Sequence, residues 1–138
     1  MGNQLDLLGN FSVAPAATQP VPVPEPRADF DSGPTSLLIL DTETSGLDPE
    51  VDSCLEVGAI LFDVASRSVL AQQSFLLPVD TNAAEAINRI PAAVTRLPQP
   101  WSEGLRWFQL LVEAADVLVA HNAAFDRQWF GRGALPPL

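Results

Sequence analysis

The sequence predicts an α/β protein built on a mixed sheet flanked by helices, and three observations carry that reading. Three apolar segments, SLLILD (36–41), CLEVGAILFDV (54–64) and VLAQQSFLLPV (69–79), follow one another with only short connections, as sequential strands do. A helical stretch then leads to a fourth apolar run, VLVA (117–120). A helix between two strands returns the chain in its starting direction, so the fourth strand is expected parallel to the first.

Each element has a local justification. SLLILD is short and continuously apolar, which suits a buried central strand, and TSGLDPE after it is turn chemistry, with Gly46 and then Asp48-Pro49. The four residues ASRS between the second and third strands suit a hairpin. Residues 82–100 contain three prolines and offer only a short helix around 83–88. Residues 102–115 form the best helix: Leu105, Phe108, Leu111 or Val112, and Ala115 recur on one face, after Pro100 and a serine cap at Ser102. Asn122 then reads as the N-cap of a last helix through Phe130, ended by Gly131 and Gly133.

The 138 residues are enough for one domain. Six of the thirteen prolines (Pro15, Pro20, Pro22, Pro24, Pro26, Pro34) lie in residues 1–34, which reads as a disordered, Pro-rich leader before a folded unit over 35–138. Seventeen acids face seven bases, all arginine, for a net charge of −10; this argues against broad adhesion to nucleic acid or anionic membrane but leaves room for acids that hold metal. One cysteine excludes a disulfide scaffold. Neither a secretory signal nor an apolar run of about 20 residues is present, so the expectation is a cytoplasmic protein with no membrane partner.

The chemistry concentrates in two places. Asp41 and Glu43 are two apart at a strand end, so both carboxylates point to one face; such a pair repels unless a cation neutralises it, and hard oxygen donors suit magnesium or manganese. Taken alone, an Asp-x-Glu reads as a solvated strand end followed by an acidic turn. The second place is His121, Asn122, Phe125 and Asp126 in VLVAHNAAFDRQWF. With the fourth strand beside the first, Asp126 would join Asp41 and Glu43 at the carboxyl edge of the sheet, where open α/β sheets hold ligands. His121 has no second histidine or nucleophile beside it and reads as a hydrogen-bonded histidine at a strand–helix junction. Cys54 reads as core, Trp101, Trp107 and Trp129 as packing, and Arg89, Arg96, Arg127 and Arg132 as solvated surface.

LLILDTETSGLDPE, followed by VLVAHNAAFD, resembles the DEDD family of 3′–5′ exonucleases, which includes the proofreading subunit of bacterial replicative polymerase, ribonuclease T and oligoribonuclease. LEVGAILFD, FLLPV and INRIPAAVTRLPQPW fall in the family's order. The resemblance implies a ribonuclease-H-like fold and a site of two divalent ions, Mg2+ or Mn2+. Asp41 would bridge both ions, Glu43 would bind one, and Asp126 would support the second. Thr44 and Leu47 would lie against the terminal nucleotide. The implied activity is DNA replication or repair chemistry: release of nucleoside 5′-monophosphates from a single-stranded DNA or short RNA 3′ end.

The family's third motif, a tyrosine or histidine base followed by an aspartate, is not found; there is no tyrosine, and no acid follows Asp126. The expectation is a partial domain lacking its last strand and helix and inactive alone. The alternative is a non-catalytic clamp- or nucleic-acid-binding module, or a truncated remnant. In the leader, Gln4-Leu5-Asp6-Leu7-Leu8 resembles the short peptide by which bacterial DNA-processing proteins bind the sliding clamp, with Phe11 nearby.

Overall fold

The computed structural model describes residues 33–131 and 133–138. Strands β1 (Ser36–Thr44), β2 (Cys54–Asp63) and β3 (Ser68–Leu76) form an antiparallel meander, and β4 (Val117–Val119) pairs with β1 in parallel, giving the order β3-β2-β1-β4. The mixed sheet and the parallel fourth strand are those the sequence predicts. Four hydrogen bonds onto one carboxylate oxygen of Asp116 align the two parallel strands at their start. Donors are the backbone and hydroxyl of Thr35 (both 2.8 Å) and those of Ser36 (2.9 and 3.1 Å).

β1 is not buried on both faces, as its apolar run suggested. Leu38, Leu40, Thr42 and Thr44 are buried, whereas Ile39 and Asp41 are exposed. The reason is the pleat: alternate residues face opposite sides, and the long helix α3 (Trp101–Ala114) packs on one of them. There Leu38 and Leu40, with Val57, Ala59 and Leu61 of β2, meet Phe108 and Leu111 of α3 and Leu118 of β4. Leu105 and Val112 pack against this cluster, so the helical face read from the sequence is the one used. Gly104 lets α3 approach β3 closely; a Cβ there would stand 2.6 Å from Cγ of Phe75.

The start of α3 and the segment 82–100 depart from expectation. α3 begins one residue early, with Pro100 at the N-cap and no side-chain cap bond, so Ser102 lies inside the first turn. α1 (Glu85–Asn88) occupies part of the expected short helix, and a further turn, α2 (Ala92–Thr95), follows Pro91. Pro91 stands at the N-cap, where its missing N–H costs the helix nothing. Thr95, fully buried, anchors α2 by donating to the Val79 carbonyl at 2.6 Å. α4 (Ala123–Arg127) is shorter than expected, and the Asn122 side chain makes no cap bond. Residues up to Phe130 continue as tighter turns, with Gln128, Trp129 and Phe130 each donating three residues back. Among the described residues no helix is long and apolar enough to cross a membrane.

Candidate functional site

Asp41 and Glu43 end β1 on the face that α3 leaves open. Antiparallel pairing sets Glu43 directly opposite Glu56 of β2, so a third carboxylate joins that face. Burial, then Asp41, then Glu56 hold the Glu43 carboxyl above its ordinary range. Glu56 is in turn bonded by the Ser74 hydroxyl of β3. Gly58 stands opposite Asp41, and together with Ile39, Ile60, Gln72 and Ser74 they line a shallow cavity of about 430 Å³. Glu56 was not singled out from the sequence, although register on β1 would have found it.

The third sequence-predicted acid is buried. Asp126 is 5% exposed, and its Oδ1 accepts a 2.8 Å hydrogen bond from Oγ1 of Thr42. Thr42 lies between Asp41 and Glu43 and therefore faces the core side of the strand. Asp126 reaches β1, with its carboxylate turned to Thr42. A buried carboxylate needs a donor, and the threonine hydroxyl supplies one. Among the described residues no three His, Cys, Asp or Glu side chains are grouped so as to hold a metal ion. Asp41 and Glu43 by themselves still suit a hard divalent cation. Both offer carboxylate oxygens, and the neighbouring acids that raise Glu43 are the repulsion a cation removes.

Beyond Glu43 the pairing with β2 slips by one residue, a bulge that takes Thr44 out of the regular ladder. Thr44 is 8% exposed and its hydroxyl donates to the Gly46 carbonyl at 2.6 Å, so its side chain braces the turn and does not project toward a ligand. Leu47 projects freely, 79% exposed, while its carbonyl accepts from Gln128 Nε2 at 3.3 Å. Ser45 closes the loop, its N–H donating to the Ser53 carbonyl at 2.9 Å and its hydroxyl accepting from Ser53 N–H at 2.9 Å. Asn88, another residue sequence reasoning missed, donates from Nδ2 to the Thr44 carbonyl at 2.9 Å. No local pattern marks it, because the bond spans 44 positions.

Other readings change. His121 is exposed and makes no hydrogen bond to a described residue, against the expected bonded histidine. Trp101 and Trp107 are partly exposed, not packed inside. Arg127 is half-buried and donates to the Pro136 carbonyl. Cys54 is half-buried as expected, its thiol pushed up to about 12 by burial, with Asp126, Glu43 and Glu56 adding to the rise. Such a thiol is a poor nucleophile at neutral pH. Residues Gln4–Leu8, the Pro-rich leader and Arg132 lie outside the described residues.

A family model described as an exonuclease, RNase_T, matches residues 38–132, which contain both motifs. The chain is 28% identical over 104 residues to DNA polymerase III PolC-type of Thermotoga maritima, covering 71% of this chain and 7% of that one. It is 36% identical over 90 residues to DNA polymerase III subunit epsilon of Treponema pallidum, covering 62% of this chain and 40% of the relative. Among solved structures, E. coli exonuclease I in complex with a dT13 oligonucleotide matches with a TM-score of 0.54 and 21% identity, over 69% of this chain and 22% of that one. The nuclease domain of 3′hExo, a DEDDh family member bound to rAMP, matches with a TM-score of 0.55 and 13% identity, over 72% of this chain and 58% of that one. These two likenesses show the ribonuclease-H-like fold. The chain spans less than two thirds of the length of each of these four proteins.

Proposed function

The chain belongs to the RNase_T exonuclease family, and from that premise we propose that it provides the Asp41–Glu43 half of a metal-dependent 3′–5′ exonuclease site. The family uses divalent metal ions and is hydrolytic. The substrate we assign is the 3′ end of single-stranded DNA or short RNA, with nucleoside 5′-monophosphates as products. The observation that carries the reading is the placement of Asp41 and Glu43, side by side on an open sheet face, inside the stretch that matches the family model.

Asp41 and Glu43 would hold Mg2+ or Mn2+, two ions in the full family arrangement. A bound ion supplies charge neutralisation at the scissile phosphate and lowers the pKa of the attacking water. The chain's own residues do the rest. Asp126 would add a third carboxylate, with its Oδ1 held by the Thr42 hydroxyl at 2.8 Å. Leu47 offers an exposed apolar surface to a terminal base, and Gln128 steadies its backbone. The family's tyrosine or histidine base has no counterpart among these 138 residues: there is no tyrosine, and the single histidine, His121, belongs to the second motif. General-base assistance is worth about 10²–10⁴ in rate, so the polypeptide by itself is expected to bind metal and turn over at background.

The test is a thermal melt with and without Mn2+. The ion binds the native state and raises the midpoint. Asp41→Ala removes that gain, and an equal rise in the variant refutes the site. The reading extends to the leader: Gln4, Leu5, Asp6, Leu7 and Leu8 would dock on a bacterial sliding clamp and tether the domain near its substrate. Anisotropy of peptide 1–12 with the clamp, against Gln4→Ala and Leu7→Ala, checks it; equal binding by the variants removes the assignment.

A further inference from the structure

The bulge at Glu43–Thr44 leaves the end of β1 without a continuous ladder, just where the acidic pair must be held. A short strand end of this kind frays unless its backbone groups find other partners. The Thr44 carbonyl finds one in Asn88, which is the last residue of α1.

The orientation of that amide is settled by its neighbours. Asn88 Oδ1 accepts from the Ile90 backbone N–H at 3.1 Å, so Nδ2 is left to donate, and its partner is the Thr44 carbonyl at 2.9 Å. Asn82 is fixed in the same way. Its Oδ1 accepts from the Ala84 N–H at 3.0 Å, and its Nδ2 donates to the Ile90 carbonyl at 2.7 Å and to Asn88 Oδ1 at 2.9 Å. Reversing either amide would set donor against donor and acceptor against acceptor. The chain also adopts an unfavourable backbone to complete the loop: Arg89 lies in the left-handed region at φ 61°, which turns Ile90 N–H back toward Asn88. Arg89 is no glycine, and the surrounding hydrogen bonds hold it there.

We propose that Asn88 is a positioning residue for the acidic site. Its amide pins the Thr44 carbonyl, and with it the height of Glu43 on one side of the bulge and the direction of the Thr44–Leu47 turn on the other. Asn82 braces Asn88, its side-chain hydrogen bonds going to Asn88, Ile90 and Ala84 and none to β1. The inference deepens the metal-site reading and rests on it, but the pinning itself is measurable without any metal.

The experiment uses the whole 138-residue chain, as wild type, Asn88→Ala, Asn88→Asp and Asn82→Ala. Amide ¹⁵N relaxation is recorded for residues 43–47, and Mn2+ affinity is titrated. Asn88→Asp keeps the acceptor for Ile90 and Asn82 but has no donor for Thr44, so the loop stays braced while the link to β1 is cut. Expected in both Asn88 variants is a fall of the order parameters over 44–47 from about 0.85 to below about 0.6, with β2 unchanged. Mn2+ affinity falls at least tenfold in Asn88→Ala. Asn82→Ala retains the rigid turn and most of the affinity even where its melting point drops, which a merely structural loop brace would not allow. Rigid 44–47 amides in Asn88→Ala and Asn88→Asp, or equal affinity losses in Asn82→Ala and Asn88→Ala, overturn the proposal. A wild type that binds no Mn2+ while the relaxation behaves as expected refutes the metal-site reading and leaves the pinning in place.

Discussion

Replacing Thr42 by valine keeps the shape of the side chain and deletes the hydroxyl that bonds Asp126. What remains is a carboxylate 5% exposed, with the 2.8 Å donor to Oδ1 gone. A hydrogen bond to a charged group contributes about 1.5–3 kcal/mol, and the site is too enclosed for water to replace it freely. Thr42→Val is therefore expected to cost about 2 kcal/mol, which for a folded unit of this size lowers the melting temperature by about 8–16 °C. Asp126→Asn behaves differently. The amide oxygen still accepts from Thr42, and a buried charge is removed, so the loss stays below about 1 kcal/mol. Urea titrations of both single variants and the double variant measure the coupling directly. A Thr42→Val loss under about 0.5 kcal/mol would show that the bond to Asp126 contributes little and refute the reasoning.

Stability below neutral pH should carry two opposed signatures. The hydrogen bonds from Thr35 and Ser36 lower Asp116 from 3.8 to about 2, so its contribution is complete above 3.8 and disappears as the pH falls through about 2; Asp116→Asn flattens that limb of a urea-midpoint profile. Glu43 is raised from 4.5, so its ionisation works against the fold as the pH rises past 4.5, and Glu43→Gln removes this slope. Cys54, with its thiol pushed up to about 12, should react with iodoacetamide at pH 8 far more slowly than in urea-unfolded protein; comparable rates would contradict its burial. Gly104→Ala should destabilise despite alanine's helix propensity, because the new methyl meets the Phe75 ring at 2.6 Å, with a cost of about 1–3 kcal/mol from overpacking set against about 1 kcal/mol from propensity; a rise in melting temperature would show that Phe75 yields.

The α/β class, the three consecutive strands with a hairpin between the second and third, the parallel fourth strand and the buried face of α3 were all legible in the sequence, because each depends on periodicity, turn chemistry or the geometry of a crossover. Asp41 and Glu43 were legible for the same reason: positions two apart on a strand share a face wherever the strand goes. Asn122 stands at the N-cap of α4 as read, though without a side-chain bond, whereas the start of α3 was not legible: Ser102 is a good capping residue in general, but Pro100 takes the N-cap. Glu56, Thr42–Asp126 and Asn88–Thr44 belong only to the tertiary structure. Glu56 needed the register of β1 on β2, which the bulge shifts by one residue beyond Glu43. The other two are hydrogen bonds between groups 84 and 44 positions apart, and no spacing within a chain encodes which distant donor a buried carboxylate or a strand-end carbonyl will find. The types of residue that act at this edge follow from local sequence, but their aim follows from packing, because a polar group removed from water takes the partner that the fold brings within reach.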